Sequence, residues 1–357
     1  MTEGNRLEID GSYGEGGRSI LRLAAAFSYL YNYPIIIKNI RANRPKPGLR
    51  TQHLLGLKTL SNLTKSTLSE CRVGTEEITF TPNPKNNLNT QLHVNINTAA
   101  SIGLLLQPIH IASLGFKGVD KIEIFLNGGG SFGKWAPSLN YLQEVTYKIF
   151  ENSGLKIEFE ILKHGFYPKG GAQTKCTIYP SQTKLKPIEL TDLGYISLIQ
   201  GTIIISNQLK RPRDHIGIRI RRSINQHLKK NLKVEIDINF EWVKTISPGV
   251  GLFLWATSDT GAIISTGTIL GEKKLPSEKL GRIASETILK YINNDIPVDD
   301  YLSDQLIPLM AYIQESSKIK VSSVTSHTQT NLDLIKLFNP RNYTITKDDK
   351  GHILEYI

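Results

Sequence analysis

The chain has 357 residues, a length that suits two domains, or one domain carrying a large insertion, with an ample core. Its 43 Lys and Arg against 32 Asp and Glu give a formal charge of +11, which favours polyanionic partners such as RNA, DNA or a nucleotide. Two cysteines, Cys71 and Cys176, exclude a disulfide framework, and no apolar run approaches the ~18 residues of a membrane helix; a cytoplasmic protein without membrane association is expected.

The chain opens with a strand-like LEIDG at residues 7–11 and a loop holding Gly11, Gly14, Gly16 and Gly17. A helical run follows, with Ile20, Leu23, Ala24, Phe27 and Tyr31 at helical spacing. Neither familiar phosphate loop fits the glycines. Aligned on Gly17, a Walker loop meets Ser12 for its first glycine and Arg18 for its lysine, while a dinucleotide fingerprint fits Gly14 and Gly16 and fails at Ser19.

After a strand at PIIIKNIRA, the segment IRANRPKPGLRTQH (residues 40–53) sets Arg41, Arg44, Lys46 and Arg50 on a stretch stiffened by Pro45 and Pro47 and turned at Gly48. Arginines on a rigid loop grip phosphate bidentately with little entropy left to lose. The helix expected near Thr51, with Leu54, Leu57 and Leu60 on one face, would add its N-terminal amides. A solvated basic turn is the plainer alternative.

Strands follow at EEITFTPN and QLHVNIN, and AASIGLLLQPIHIASLG reads as a buried helix interrupted at Pro108. KIEIFLN is a strand, and the next helix starts at Pro137 and stops at Gly154. In HGFYPKGGAQ (residues 164–173), Pro168, Gly170 and Gly171 let the backbone approach a neighbour closely, with His164 more naturally structural than catalytic. The alternation implies a layered α/β or α+β architecture.

From about Lys184 to Glu278 the composition shifts. Strands at SLIQGTIIIS, KVEIDINFEW, GLFLWAT and AIISTGTIL surround a basic segment, and a helix at EKLGRIASETILKYINN follows. We expect a large domain of residues 1–184 and 279–357 and an inserted α/β domain of residues 185–278. Within the insert, residues 210–233 carry nine cations against Asp214 alone. Such density grips an RNA backbone with strong salt dependence, or is simply a solvated helix face; it does not imply base reading.

Two late clusters remain. In VDDYLSDQLIPLMA (residues 298–311), Asp304 and Gln305 stand at the head of an apolar helix, where an N-cap is the plain role for Asp304. In SSVTSHTQTN (residues 322–331), His327 sits among Ser326, Thr328, Thr330 and Asn331. Small polar neighbours can hold one tautomer and leave the other nitrogen free as nucleophile or base; a strand-edge histidine is the alternative. No zinc spacing and no G-x-S-x-G elbow occurs, while Mg²⁺ accompanying a nucleotide stays open.

Taken in order, DGSYGEGGRSILR, IRANRPKPGLRTQH, LLLQ, GGSFGKWAP, HGFYPKGG, YLSDQLIPLMA and SHTQTN resemble the RNA 3′-terminal phosphate cyclase family. The resemblance covers nearly all of residues 6–184 and 279–357, and the insert more loosely. It implies a large domain of repeated βα units related to enolpyruvate transferases, with a smaller inserted α/β domain. It implies ATP-dependent conversion of an RNA 3′-phosphate to a 2′,3′-cyclic phosphodiester, through a histidine–AMP and an RNA-adenylate, releasing pyrophosphate and AMP.

On this resemblance His327 is the nucleophile and Glu15 holds a divalent metal, Mg²⁺ or Mn²⁺. Arg22 faces the phosphates, and Arg41, Arg44 and Gln52 bind nucleotide phosphates or the RNA end. Gln107, Pro137, Tyr301, Leu302, Ser303, Asp304 and Gln305 frame the adenosine, with Tyr301 and Pro137 sandwiching the base and Asp304 near His327. RNA 3′-phosphate ends and ATP are the implied partners, with no obligate protein partner.

Three features depart from the family pattern: Ala172 and Arg18 stand where glycines are usual, and the segment at Ser131 and Phe132 lacks an acidic or amide residue. A non-catalytic scaffold in ribosome biogenesis would lose the histidine and parts of the arginine loop. An enolpyruvyl transferase would not need HGFYPKGG and SHTQTN together. A plain nucleic-acid-binding module would not explain Glu15, Asp304 and His327 in one chain.

Overall fold

A computed structural model of the chain describes residues 6–13, 18–85, 87–210 and 215–357. The first unit comprises β1 (Leu7–Asp10), α1 (Arg18–Tyr31), β2 (Ile35–Lys38), α2 (Thr51–Thr64), β3 (Thr67–Leu68) and β4 (Ile78–Thr81). The second comprises β5 (Gln91–Ser101), α3 (Ile102–Ala112), β6 (Ile122–Gly130), a helical rod, β7 (Lys156–Lys163) and β8 (Gln173–Tyr179). That rod joins α4 (Leu139–Tyr141), a π-helical turn (Leu142–Thr146) and α5 (Tyr147–Ser153).

The third unit opens with β9 (Glu189–Leu190) and is at once interrupted. The interruption holds β10 (Ile196–Ser206), α6 (Ile216–Asn231), β11 (Glu235–Val243), β12 (Val250–Ser258), β13 (Ile263–Ser265), β14 (Ile269–Leu270) and α7 (Ser277–Asn293). The unit then resumes with α8 (Asp300–Tyr312), β15 (Ser317–Val321), α9 (Ser326–Lys336), β16 (Tyr343–Asp348) and β17 (Gly351–Tyr356).

The three units share one topology. Their sheets run β1-β2-β4-β3, β5-β6-β8-β7 and β9-β15-β17-β16. In each, the first strand pairs parallel with the second across a helix, and the last two strands add antiparallel. The repeated βα units implied by the resemblance are therefore β-α-β-α-β-β modules, a repeat that no sequence self-similarity reveals.

The insert has its own sheet, β11-β10-β12-β13 with β14 beside β12, and its helices α6 and α7 lie side by side. Two details bear on its edges. β9, within residues 185–278, pairs with β15 in the third sheet, and α7, almost all of it beyond residue 278, packs on α6 and β12.

The helices of the units pack on one another: α1 meets α2, α3 and α9, and α2 meets α3. This explains why Ala24, Ala25 and Ala26 are all buried, where an amphipathic surface helix would expose one of them. Gly56 of α2 lets the two backbones close; a Cβ there would lie 2.9 Å from the Leu105 carbonyl oxygen. The expected interruption of α3 does not occur. Pro108 sits buried inside a helix that continues to Ala112, because packing on both sides outweighs the one main-chain hydrogen bond that proline removes.

HGFYPKGG is a joint between the second unit and the insert. Phe132 and Phe166 stack at 5.2 Å and form a small separate core with Ile204 and Val243 of the insert. Each such burial contributes roughly 2 kcal/mol. Lys169 N–H donates to Ser247 Oγ at 3.0 Å, and Gly171, at φ +85°, leaves room for Ile246. His164 is buried against Ser131, Nδ1 to Oγ 3.0 Å, and burial pushes its pKa down to about 4, a neutral structural ring. Ala172 is buried and holds no left-handed backbone, so the fold does not require the family's glycine there.

Candidate active site

The head of α8 is capped by Asp299. Its Oδ1 accepts from the N–H groups of Tyr301 and Leu302, both at 2.9 Å, and from the Tyr141 hydroxyl at 3.2 Å. The side chain is fully buried and Oδ2 has no partner among the described residues. Burial pushes the carboxyl up to about 7, against the downward pull of the two backbone bonds. The N-cap anticipated at Asp304 therefore belongs to Asp299, and Asp304 lies one turn further in.

From that second turn Asp304 faces α9. Its Oδ1 accepts from Thr325 Oγ1 at 3.0 Å and Thr328 Oγ1 at 2.7 Å, and its carbonyl accepts from Asn331 Nδ2 at 3.0 Å. Thr325 is also the N-cap of α9, accepting from Thr328 N–H at 2.9 Å. One carboxylate thus pins the first turn of the neighbouring helix. Burial raises the Asp304 pKa, while the Thr328 hydroxyl and the His327 ring nearby pull the other way.

His327 is the second residue of that pinned turn and is exposed to solvent; it is not on a strand edge. Leu302 and Ser303 are fully buried, and Ser303 Oγ lies 3.5 Å from Thr328 Oγ1. Their side chains serve the packing of α8 on α9.

Tyr301 is 53% exposed, with Tyr141 edge-on at 6.5 Å. Its ring rests against Gly267 of the insert, at φ +63°, where any Cβ would collide with the ring. The next residue, Thr268, accepts from Ser138 N–H at 2.8 Å, immediately after Pro137. Residues 267–268 of the insert therefore meet both Tyr301 and Ser138, the residue after Pro137. Gln305 is held by Thr146 Oγ1, donating to Oε1 at 3.1 Å.

Arg22 is 5% exposed, and its Nε donates to Gln107 Oε1 at 2.8 Å, tying α1 to α3. Tyr13 Oη donates to Asp333 Oδ2 at 2.8 Å, which brings the edge of the glycine loop against α9. Glu15, the expected metal ligand, lies outside the described residues. Among the described residues no three His, Cys, Asp or Glu side chains group as a metal site, and no helix is long and apolar enough to cross a membrane.

Arg41, Arg44 and Gln52 belong to the first unit. Arg41 is 7% exposed at φ +57°, and its Nη1 donates to the Lys46 and Gly48 carbonyls at 2.7 and 3.0 Å. It organises its own loop. Arg44 and Gln52 are half-buried, Gln52 at the second position of α2. Sequence reasoning missed Asp299, Thr325, Gly267 and the Tyr13–Asp333 contact. Asp299 and Thr325 were findable, as capping residues just before helical runs; the other two depend on tertiary contact alone.

Three β-α-β-α-β-β units, the third opened by an insert and carrying an exposed histidine on a pinned helix head, define a mixed α/β protein whose candidate site residues gather largely where insert and third unit meet. The family described as RNA 3′-terminal phosphate cyclase matches residues 13–345. A protein of that name from Methanopyrus kandleri is 33% identical over 339 residues, 94% of this chain and 93% of its own. Namesakes from Staphylothermus marinus and Pyrococcus furiosus are 34% identical over 350 residues and 36% identical over 330, covering 97% and 92% of this chain and 95% and 92% of their own. The chain belongs to the RNA 3′-terminal phosphate cyclase family.

Proposed function

We propose that the protein is an ATP-dependent RNA 3′-terminal phosphate cyclase, acting in the cytoplasm without an obligate protein partner. The observation that carries this reading is His327, exposed at the head of α9 with its turn fixed by Asp304. The half-exposed Tyr301 ring beside Pro137 offers a slot for a purine base. The α9 N-terminus favours negative charge beside the histidine. These residues fit ATP as a substrate.

A phosphate monoester dianion is a poor target for a hydroxyl, so it must first gain a leaving group. A ring nitrogen of His327 attacks the α-phosphorus of ATP, a nitrogen–phosphorus bond forms, and pyrophosphate leaves. The RNA 3′-phosphate then takes the AMP and frees the histidine. The neighbouring 2′-hydroxyl attacks the terminal phosphorus, loses its proton and expels AMP, which closes the cyclic diester.

Asp304 acts as a positioning residue that keeps the imidazole on line through Thr325 and Thr328. Tyr301, Pro137 and Gln305 orient the nucleoside. Arg44 and Gln52 serve the phosphates or the RNA end, Arg41 shapes their loop, and Gln107, framing the adenosine, holds Arg22, which faces the phosphates. Glu15 would hold Mg²⁺ or Mn²⁺, which when bound would neutralise charge on the phosphate oxygens.

The test is turnover. With ATP and Mg²⁺ or Mn²⁺, an oligoribonucleotide ending in a 3′-phosphate should become resistant to phosphatase while AMP and pyrophosphate appear in equal amounts. A protein that binds RNA and leaves the end phosphatase-sensitive would overturn the reading in favour of a scaffold.

A further inference from the structure

Helix α6 has sixteen residues and not one carboxylate, and it carries Arg219, Arg221, Arg222, Lys229 and Lys230. One face is committed to the fold. Gly217 lies against Phe240, where a Cβ would come within 2.7 Å of the ring, and Ser223 Oγ donates to the Glu278 carbonyl of α7 at 2.7 Å. On this side Glu278 Oε1 of α7 lies 3.8 Å from Arg219 Nε.

The outer face is different. Ile218, Arg221, Arg222, Asn225, Gln226 and Lys229 line an open hollow of about 400 Å³, with no carboxylate among the lining residues. The Arg221 guanidinium carbon lies over Phe240, 5.2 Å from the ring centroid, which orders one cation in advance. Three cations and two amides around one hollow match the phosphates and sugar hydroxyls of a nucleic acid strand. A lipid surface is disfavoured, because only Ile218 offers an apolar side chain for insertion.

Position supplies the rest. α7 lies between α6 and the β12–β13 side of the insert, and it is that side whose residue 267 touches Tyr301. α7 thus separates the hollow from the base slot. We propose that the outer face of α6 docks the phosphate backbone of the RNA substrate upstream of its 3′ end. The inference rests on the cyclase reading for its substrate. It adds a second contact region, beyond α7 from the base slot, that only a strand longer than a dinucleotide held at the slot would reach.

The test substitutes Arg221→Gln, Arg222→Gln and Lys229→Gln together, all on an exposed face, and checks the fold by thermal melting. Cyclisation is compared on a 3′-phosphorylated dinucleotide and on a strand of about 20 nucleotides, a length beyond the site size of a typical single-strand groove. Direct binding of the long strand is measured against salt. The expected result is a KM for the long strand raised about tenfold or more, and a log K against log salt slope shallower by about 2, since each phosphate that a cation neutralises adds about 0.7 to it. The dinucleotide KM and the labelling of the enzyme by ATP should stay as in the unsubstituted protein.

An unchanged slope and KM on the long strand would overturn the proposal. So would an equal loss on both lengths, which would mark a general defect, or a loss of binding to anionic vesicles with RNA binding intact. An unsubstituted protein that neither labels nor cyclises would overturn the cyclase reading instead, and the binding measurement would still decide the role of the hollow.

Discussion

The second and third units are built on one plan and differ in how the chain leaves the first strand. In the second, Ser101 ends β5 and caps α3 at once, its Oγ accepting from Leu104 N–H at 3.3 Å. In the third, the whole insert intervenes before Asp299 performs the same task for α8. The insert then returns to touch both units, through Gly267 at Tyr301 and Thr268 at Ser138. The interruption adds a wall from the insert to a generic helix end.

The correspondence extends to all three units. The first helix of each carries a residue of the proposed site in its second turn: Arg22, Gln107 and Asp304. The second helix of each places Gln52, Asn140 or His327 at its second position, just behind Arg50, Ser138 or Thr325. Only the third head joins an exposed imidazole to a carboxylate that fixes its turn. The repeat supplies equivalent positions, and the proposed chemistry uses one of them.

The largest effect should come from breaking that pinning. Asp304→Ala leaves Thr325 and Thr328 without their acceptor, so ATP-dependent labelling should slow about 100-fold, as a misaligned nucleophile does. Gln107→Ala, at the matching turn of the second unit, should act mainly on KM. Equal losses of kcat in both variants, by single-turnover kinetics, would erase the distinction between the units.

The next effect concerns the two caps. Asp299 titrates near 7 in the fold against 3.8 in the open chain, so the folded state holds the extra proton between those values. Stability from this group is therefore complete below about pH 4 and is lost as pH rises toward 7, by about 1.4 kcal/mol for each pH unit. Asp299→Asn should gain on the parent protein steadily from pH 4 to 7 in denaturant titrations. A constant difference across that range would refute the buried acid. Ser101→Ala, at the matching cap, should cost about 1 kcal/mol with no pH dependence.

The smallest effect should follow Gly267→Ala. A Cβ at that left-handed position displaces the Tyr301 ring, so KM for ATP should rise several-fold with melting temperature lowered only slightly. An unchanged KM would remove Tyr301 from the nucleoside slot.

Much of the fold was legible in the residues. The helix expected at Thr51 spans Thr51–Thr64, and Gly154, at φ +108°, ends its helix as glycine at that place should. The threefold plan was not legible, because equivalence lies in strand order and not in residue identity or length: β1 has four residues, β5 eleven and β9 two. AIISTGTIL reads as one strand, yet it forms β13 and β14 separated by the Gly267 turn, since its middle serves Tyr301. His327 drew notice for its polar neighbours, but the bonds that fix its helical turn come from Asp304, more than twenty residues away in sequence. Local pattern finds caps and faces; it does not find partners.

Whether the third helix head carries the nucleophile can be decided by one labelling experiment. The protein and a His327→Ala variant are incubated with α-labelled ATP and Mg²⁺ or Mn²⁺, denatured, and examined for retained label. The expected result is acid-labile, alkali-stable label on the unsubstituted protein alone, the signature of a histidine phosphoramidate. Label of equal intensity on both proteins would place the nucleophile elsewhere, and no label on either folded protein would contradict the covalent mechanism itself.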